Sequence, residues 1–128
     1  MVARVRVDAS EVRLEPGRGS VGRGSGSGGR YWHIYVGEKR VGNVYVNVID
    51  EEPVGVHASI QIQNNKADQG RGIGGVAYRR ASEQSGHEVV YAHMRKSNLA
   101  SGKAAEAAGY EAIGDEQVRQ LLMRWRRS

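Results

Sequence analysis

The pattern of apolar and polar positions predicts a β-rich first half of the chain. Residues 3–7 and 11–15 alternate between apolar and polar side chains, which is typical of strands with one buried face. Residues 31–36 and 41–49 are rich in aromatic and β-branched side chains, which favour strands. The turn-forming sequence GEKR at residues 37–40 separates them, so these two segments predict an antiparallel hairpin.

Residues 54–63 form the longest alternating stretch. One face carries only apolar side chains, those of Val54, Val56, Ala58, Ile60 and Ile62. The other face is polar throughout and includes His57, Gln61 and Gln63. Packing against a core explains the first face but does not require so polar a second one. We therefore interpret this strand as part of a functional surface.

The apolar spacing changes to that of helices in the second half. Apolar positions recur at intervals of three and four residues between 72 and 85, which predicts an amphipathic helix. Residues 88–94 are largely apolar on both faces, as expected of a central strand that follows a helical crossover. Ser97 or Asn98 is expected to cap a second helix, and Gly109 to end it.

Residues 16–30 (PGRGSVGRGSGSGGR) interrupt this pattern with a low-complexity segment. Val21 is its one sizeable apolar side chain. Such a segment buries too little surface to offset the entropy of ordering, so we expect a flexible loop within a single domain spanning residues 1–128.

Composition and charge limit the chemistry. The absence of cysteine excludes disulfides, thiolate nucleophiles and cysteine metal sites, and no histidine or carboxylate spacing suggests a metal centre or a hydrolase triad. The net charge of +5 suits an anionic ligand, a nucleic-acid surface or simple solubility. No stretch has the apolar character of a signal peptide or a membrane span, so we expect a cytoplasmic protein.

The clearest chemical signal lies between residues 64 and 82 (NNKADQGRGIGGVAYRRAS). A polar run leads into four glycines, at 70, 72, 74 and 75, and then directly into the first predicted helix. Glycines there let backbone N–H groups approach a phosphate, which the unpaired amides and the helix dipole then hold. The glycines also match the dinucleotide pattern G-x-G-x-x-G, but that motif expects a strand running straight into its first glycine, and a polar loop precedes this one.

A second match is more specific. Residues 69–74 (QGRGIG) resemble the [RQ]-x-x-G-x-[GA] pyrophosphate loop of the GCN5-related N-acetyltransferase (GNAT) superfamily. Residues 98–110 (NLASGKAAEAAGY) resemble the later N-…-Y-E-x-x-G-[FY] signature of that superfamily. The resemblance extends from about residue 31 to the C-terminus.

This resemblance implies a GNAT-like α/β (α+β) fold. The expected architecture is a mixed sheet of about six strands with antiparallel N-terminal hairpin strands, and two main helices after the fourth and fifth strands. GNAT domains usually carry helices between their first two strands, and here the Gly-rich loop replaces them. Residues 115–127 allow a helix capped by Asp115, but the resemblance implies a short strand at 110–113 and a final strand through 121–123. We take the strand.

The resemblance also implies a binding site for acetyl-coenzyme A (acetyl-CoA). In GNAT domains the strand before the loop pairs with the pantetheine arm, the loop holds the pyrophosphate, and an asparagine in the following helix contacts the arm. The matching positions in this sequence are Ile62, Asn64, Gln69, Gly70, Arg71, Gly72, Ile73, Gly74, Gly75 and Asn98. Arg79 or Arg80 is a further candidate for the peripheral phosphate. Asn98 serves equally well as a simple helix cap.

The acid and base of an acyl transfer are less clearly marked. His57 is a candidate general base, because it lies on the polar face of the strand that leads to the loop and an imidazole can exchange protons near neutral pH. His33 is a second candidate, although a histidine on a strand often has only a structural role. The tyrosine that GNAT domains often use to protonate the leaving thiolate is replaced by Ala105. The leaving thiolate is then protonated by water, or Tyr110 or Tyr91 is the acid.

Three functional hypotheses follow. The first is an acyl-CoA-dependent N-acetyltransferase that transfers an acetyl group from acetyl-CoA to an amine by direct attack. The second is a GNAT-like protein that modifies a nucleobase, with the Arg/Gly loop and the basic tail around Trp125 as a nucleic-acid surface. The third is a catalytically silent acyl-CoA-binding module that binds a partner, or a second copy of itself, through the polar sheet face.

Overall fold

The computed structural model describes residues 5–113 and 120–128. Within them, seven strands form one mixed sheet and two α-helices pack against it. The strands are β1 (Val12–Gly17), β2 (Arg30–Val36), β3 (Lys39–Glu51), β4 (Gly55–Asn64), β5 (Val89–Arg95), β6 (Glu111–Ile113) and β7 (Gln120–Arg126). The helices are α1 (Ile73–Gln84), between β4 and β5, and α2 (Leu99–Ala107), between β5 and β6.

The sheet has the order β1-β2-β3-β4-β5-β7-β6. Strands β1 to β4 form an antiparallel meander, in which the Gly-rich loop joins β1 to β2 and short turns join β2 to β3 and β3 to β4. The crossover through α1 makes β5 parallel to β4, and β7 then pairs with both β5 and β6 in antiparallel orientation. This is the mixed topology that the resemblance implies, with one strand more than expected.

Both helices lie on the same face of the sheet and bury the core there. The fully buried side chains come from every central strand and from α1 and include Ile34, Val44, Val46, Ile60, Ile73, Ala77, Val90 and Met123. The two helices approach each other closely at their small residues. A Cβ added at Gly74 would lie 3.2 Å from Ala104 Cβ, and one at Gly75 would lie 3.3 Å from Ala107 Cβ. Glycine in the first turn of α1 therefore permits this close approach.

The N-terminal segment differs from the sequence prediction. Residues 3 and 4 of the predicted strand at 3–7 lie outside the described residues, and residues 5–7 form no strand. Val7 is buried and donates a backbone hydrogen bond to the carbonyl of Arg71 (2.9 Å). The segment thus runs across the loop before α1 instead of joining a sheet edge. The alternation of apolar and polar residues in this segment therefore reflects the burial of Val7 and not strand pairing.

The Gly-rich segment contains no α-helix, as the sequence indicates. Its ends belong to neighbouring strands, since Pro16 and Gly17 lie in β1 and Arg30 lies in β2. Asn47 of β3 binds the loop at two points: Oδ1 accepts from Gly24 N (2.7 Å) and Nδ2 donates to Gly22 O (2.8 Å). The loop therefore lies beside β3 at Asn47, beyond the pair Arg30–Val46 at which β2 begins.

The C-terminal segment is a strand, which confirms the choice of strand over helix. Part of the alternative helix, residues 114–119, lies outside the described residues. In the ranges that are described, neither helix combines the length and the apolar character that crossing a lipid bilayer requires.

Candidate active site

A cleft of about 490 Å³ opens between the start of α1, the end of β4 and α2. Nine of the ten predicted cofactor-binding residues line it: Ile62, Asn64, Gln69, Gly70, Gly72, Ile73, Gly74, Gly75 and Asn98. The structure thus brings together two motifs that are almost thirty residues apart in sequence. The cleft is also lined by residues to which the sequence assigned no cofactor-binding role: Arg6, Asp68, Tyr78, Ala100, Ser101, Lys103, Ala104 and Ala107.

The start of α1 is built from backbone. Gly70 (φ 78°) and Gly72 (φ 82°) adopt the left-handed conformation that glycine tolerates without strain. Gly72 occupies the N-cap position and has no side chain with which to satisfy the amides of the first turn. These amides and the positive end of the helix dipole therefore favour an anion in the cleft.

Asp68 is the buried anchor of the loop. Only 1% of it is exposed, its Oδ1 accepts a hydrogen bond from Arg71 Nη1 (2.9 Å), and its Oδ2 lies 3.5 Å from Lys39 Nζ. Arg71 also donates from Nε to Val5 O (3.1 Å) and does not line the cleft. The Arg71 side chain, predicted to bind cofactor, thus ties the loop to Asp68 and to the N-terminal segment.

The edge of the cleft formed by β4 coincides with a divergence of two strands. Within the described chain, β4 and β5 pair only at Ala58–Val90 and Ser59–Tyr91, although both strands continue beyond these pairs. The residues of β4 that follow, from Gln61 to Asn64, therefore face a gap towards β5. The backbone of this half of β4 remains free on that side to pair with an extended ligand.

Asn64 lies at the end of this gap. Its Oδ1 is buried and has no hydrogen-bond partner among the described residues. A Cβ built on Gly74 would lie 3.9 Å from Asn64 Nδ2, so this amide adjoins the first turn of α1. Oδ1 lies on the side of Gly42 in β3, where an added Cβ would be 2.9 Å away, so the amide atom that adjoins the cleft is the Nδ2 donor, which suits an acceptor oxygen of a ligand.

The start of α2 forms the other wall. Asn98 is the N-cap, and its side chain accepts a hydrogen bond from Ser101 N (3.2 Å). The helix-cap role that the sequence left open is therefore present, and Asn98 still lines the cleft. Tyr78 of α1 reaches across, with its Oη 3.2 Å from Ser101 Oγ. Burial raises the pKa of Tyr78, so this phenol keeps its proton at neutral pH.

Tyr110, a predicted catalytic residue, is not brought to the cleft. It is 3% exposed, and its Oη lies 2.5 Å from Ser82 Oγ in the core between α1 and the sheet. Burial raises its pKa well above the ordinary value. Ala105, at the position of the superfamily tyrosine, is fully buried as well. Tyr110 therefore places no hydroxyl beside the gap between β4 and β5, and Ala105 has none to place there.

His57, the other predicted catalytic residue, lies on the opposite face of the sheet from the helices. Its Nε2 is 2.8 Å from Nε2 of His93 on β5, and its Nδ1 is 2.6 Å from Gly55 O. The Tyr91 ring packs against the His57 ring in edge-to-face geometry, with centroids 5.1 Å apart. His93 was missed because its strand is apolar on both faces and the sequence does not reveal the register that places it beside His57.

This polar face is less open than the sequence suggested. His57 and Ser59 are buried, because the rings of Tyr91 and His93 pack beside them, whereas Gln61 is exposed. Tyr45 of β3 is also buried and donates from Oη to Gln61 Oε1 (2.8 Å). The exposed part of the face therefore begins where β4 and β5 separate.

The remaining candidate cations have structural partners. Arg80 donates to the carbonyls of Ala9 (2.8 Å) and Val12, and Arg79 pairs with Glu83 (3.0 Å) one turn further along α1. In the basic tail, Trp125 is buried. Arg127 donates to three carbonyls at the end of α1 and after it, those of Ser82, Glu83 and His87. A role for Trp125 in stacking on a nucleobase finds no support in this geometry.

Comparison with known proteins adds structural similarity only. The sequence matches no protein-family model, and a search of curated proteins found no significant match. Among solved structures, the aminoglycoside acetyltransferase AAC(6')-Ib in complex with paromomycin and acetyl-CoA is similar, with a TM-score of 0.66 and 16% identity over 78% of this chain and 66% of that one.

Two further structures show the same similarity. Mycobacterium smegmatis RimJ in complex with CoA-disulfide has a TM-score of 0.63 and 18% identity over 83% of this chain and 54% of that one. A GNAT-family acetyltransferase from Streptococcus pneumoniae has a TM-score of 0.62 and 17% identity over 83% of this chain and 71% of that one. The chain spans about two thirds of the length of the AAC(6')-Ib chains. The polypeptide therefore has the fold of the GNAT acetyltransferases, as its two motifs predict.

Proposed function

We propose that this protein is an acyl-CoA-dependent N-acetyltransferase that binds acetyl-CoA in the described cleft and transfers the acetyl group to an amine. The observation that carries the proposal is the convergence of the glycine-rich start of α1, the unpaired half of β4 and the start of α2 around one cleft. In the similar structures AAC(6')-Ib and RimJ, the bound molecules include acetyl-CoA and CoA-disulfide.

The residues present fit coenzyme A in three respects. The first-turn amides of α1 and the left-handed Gly70 and Gly72 suit a pyrophosphate, because they offer donors without bulk. The free edge of β4 at Ile62 and the Nδ2 donor of Asn64 suit an extended arm with amide groups. Arg6 and Lys103, which also line the cleft, give it the positive charge that a phosphorylated nucleotide requires.

The chemistry that acetyl-CoA supplies is an activated acetyl group on a thiol leaving group. The role of this chain is to hold and orient the acetyl group in the gap between β4 and β5. In that gap the acetyl group is accessible from the face of the sheet opposite the helices. The amine attacks from the face that carries Gln61, His57 and His93. A base on that face takes the proton that the amine nitrogen loses on forming the amide bond.

The first test is equilibrium titration of the full chain with acetyl-CoA, followed by coenzyme A alone. We expect saturable binding with one site per chain. Absence of saturable binding at millimolar ligand overturns the proposal. Gly37→Val is a matched control for valine substitutions of the left-handed glycines before α1. Gly37 (φ 60°) also adopts the left-handed conformation but lies in the β2–β3 turn with open space around it.

The second test is turnover with a panel of primary amines: kanamycin, spermidine and a short peptide with a free N-terminus. Acetylation of any of them distinguishes an enzyme from a silent acyl-CoA-binding module. The silent module is the second candidate, and the observation that favours it is the placement of Ala105 and Tyr110 in the core, away from the cleft. Tight binding with no turnover on the full panel would support it.

A further inference from the structure

The protonation pattern of the two imidazoles on the polar face follows from their partners. His57 Nδ1 lies 2.6 Å from the carbonyl oxygen of Gly55, which can only accept, so Nδ1 carries a proton. In the neutral ring Nε2 of His57 is then an acceptor. Nε2 of His93, 2.8 Å away, must therefore donate to it. This leaves Nδ1 of His93 with a free lone pair.

That lone pair has no hydrogen-bond partner among residues 5–113 and 120–128. His93 is half-buried and follows Tyr91 by two residues, and Tyr91 belongs to the last residue pair that joins β4 to β5. The backbone of His93 therefore lies on β5 just past the last pair, at the start of the gap, and its ring contacts that of the buried His57.

The surroundings keep the His93 ring neutral. Four ionisable groups face it from the packed strands: His57 of β4, Glu51 at the end of β3, Tyr91 of its own strand and Arg124 of β7. Burial lowers the pKa of His93 below its ordinary value, repulsion between the two rings if both were protonated lowers it further, and Glu51 opposes both. At neutral pH His93 is thus in its basic form.

We propose that Nδ1 of His93 is the general base of the acetyl transfer and that His57 is a positioning residue that acts through it. The inference rests on the proposed function. The carbonyl of Gly55, His57 and His93 form a relay in which each member orients the next, as in catalytic dyads and triads of other chemistry. His57 also stabilises the imidazolium that forms on His93, because its Nε2 accepts the remaining proton.

The amine nitrogen forms its bond to the acetyl carbon and loses one proton to His93 Nδ1, while the carbon–sulfur bond breaks and its electron pair leaves with sulfur. The imidazolium then returns the proton to the thiolate, since the ordinary pKa of an alkyl thiol such as cysteine, about 8.5, is above that of a histidine. No other reactant is consumed.

The decisive measurement does not depend on activity. Two-bond ¹H–¹⁵N correlation spectra of the uniformly ¹⁵N-labelled full chain report which imidazole nitrogen carries the proton. We expect a protonated Nδ1 and a bare Nε2 for His57, and the reverse for His93. His93→Gln, whose amide can still donate to His57 Nε2, assigns the signals, and His87→Gln is the matched control. The opposite tautomer of His93, with Nδ1 protonated, overturns the proposal.

A second measurement connects this nitrogen with the cleft. Addition of coenzyme A should shift the His93 ring resonances and leave those of His87 unchanged, since His87 lies beyond the other end of α1 and binds Gly28 O (2.8 Å). If coenzyme A does not bind at all, the proposed function fails. If it binds and moves neither His93 nor His57, only the present inference fails.

Kinetics complete the test when an amine of the panel is acetylated. We expect His93→Gln to lower kcat by about 10²–10³-fold, with the Kd for coenzyme A unchanged. His57→Gln should lower kcat less and shift the acidic limb of the kcat–pH profile, because it acts only through the basicity of His93. A His93→Gln enzyme with wild-type kcat would exclude His93 as the base.

Discussion

The two faces of the sheet carry the two halves of the candidate site, and they are built in different ways. On the helix face, the cleft is formed mostly by backbone: the first-turn amides of α1, the free edge of β4 and glycines that permit close approach. On the other face, the site consists of side chains from three strands, with His57 and His93 in direct contact. A backbone site tolerates changes of side chain and demands glycine, whereas a side-chain site depends on register and on individual atoms.

The largest expected effect tests the backbone half. Gly72→Val should weaken the binding of coenzyme A by about 10- to 100-fold, because valine at a left-handed N-cap displaces the amides that face the anion. A Cβ at this position would also lie 3.0 Å from Arg6 Nη2. Titration calorimetry measures the Kd.

Gly37→Val introduces the same left-handed strain in the β2–β3 turn, away from the cleft. It should lower the thermal stability by a similar amount and leave the Kd unchanged. If Gly72→Val and Gly37→Val weaken coenzyme A binding equally, general destabilisation of the fold explains the result. The assignment of coenzyme A binding to the backbone amides at the start of α1 is then wrong.

A pair of tyrosines sharpens the division between the two faces. Tyr78→Phe removes a hydroxyl that lines the cleft and contacts Ser101, so it should weaken coenzyme A binding by up to about tenfold. Tyr45→Phe removes the hydroxyl that orients Gln61 on the opposite face. It should change the KM for the amine and leave the Kd for coenzyme A unaltered. If Tyr45→Phe changed only the Kd for coenzyme A and not the KM for the amine, the assignment of coenzyme A to the helix face and of the amine to the opposite face would be contradicted.

The same division explains what the sequence could predict. The glycine-rich start of α1 and both helices were predictable, because glycine spacing, helical periodicity and the cap at Asn98 are local features. The N-terminal segment was not, since Val7 alternates like a strand residue but pairs with the carbonyl of Arg71. Arg71 was predicted from a motif that specifies the position but not that Asp68 would bind its side chain.

The acceptor face could be predicted only in part. His57 was identified because it lies on the polar face of a clearly alternating strand. His93 was not, because its role depends on the parallel register of β4 and β5, which sequence spacing does not encode. Tyr110 lies in a recognisable motif, yet the packing of α1 places its hydroxyl on Ser82 in the core.

A smaller effect tests the close approach of the helices on the cleft side. Gly102→Ala in α2 should stabilise the protein by about 0.5–1 kcal/mol, because alanine favours helix and its Cβ would make ordinary contact with Leu121 at 3.7 Å. Gly75→Ala should yield no such gain, since its Cβ would lie 3.3 Å from Ala107 Cβ. Urea unfolding measures both free energies. An equal increase in the free energy of unfolding of the two variants would show that α1 and α2 can accommodate an added methyl group at Gly75.

The smallest expected effect concerns the pH dependence of stability on the other face. The pKa of His93 is lowered in the folded state by burial and by His57, against the opposing effect of Glu51, with Tyr91 and Arg124 also on this face. An unfolded histidine titrates near about 6.5, so below that pH the unfolded chain binds more protons at this site than the folded one. Protonation therefore favours unfolding, and the contribution of His93 to stability falls as the pH drops from 7 towards 5.

His93→Gln should consequently lose less stability than the wild type between pH 7 and pH 5, as measured by urea unfolding at each pH. His87→Gln is the control and should retain the wild-type slope, because it leaves the pair on the polar face intact. Identical slopes for the wild type and His93→Gln would mean that His93 is not held neutral by its surroundings. The imidazole pair would then lack the property that distinguishes this face, a basic nitrogen maintained by side-chain contacts, from the backbone cradle across the sheet.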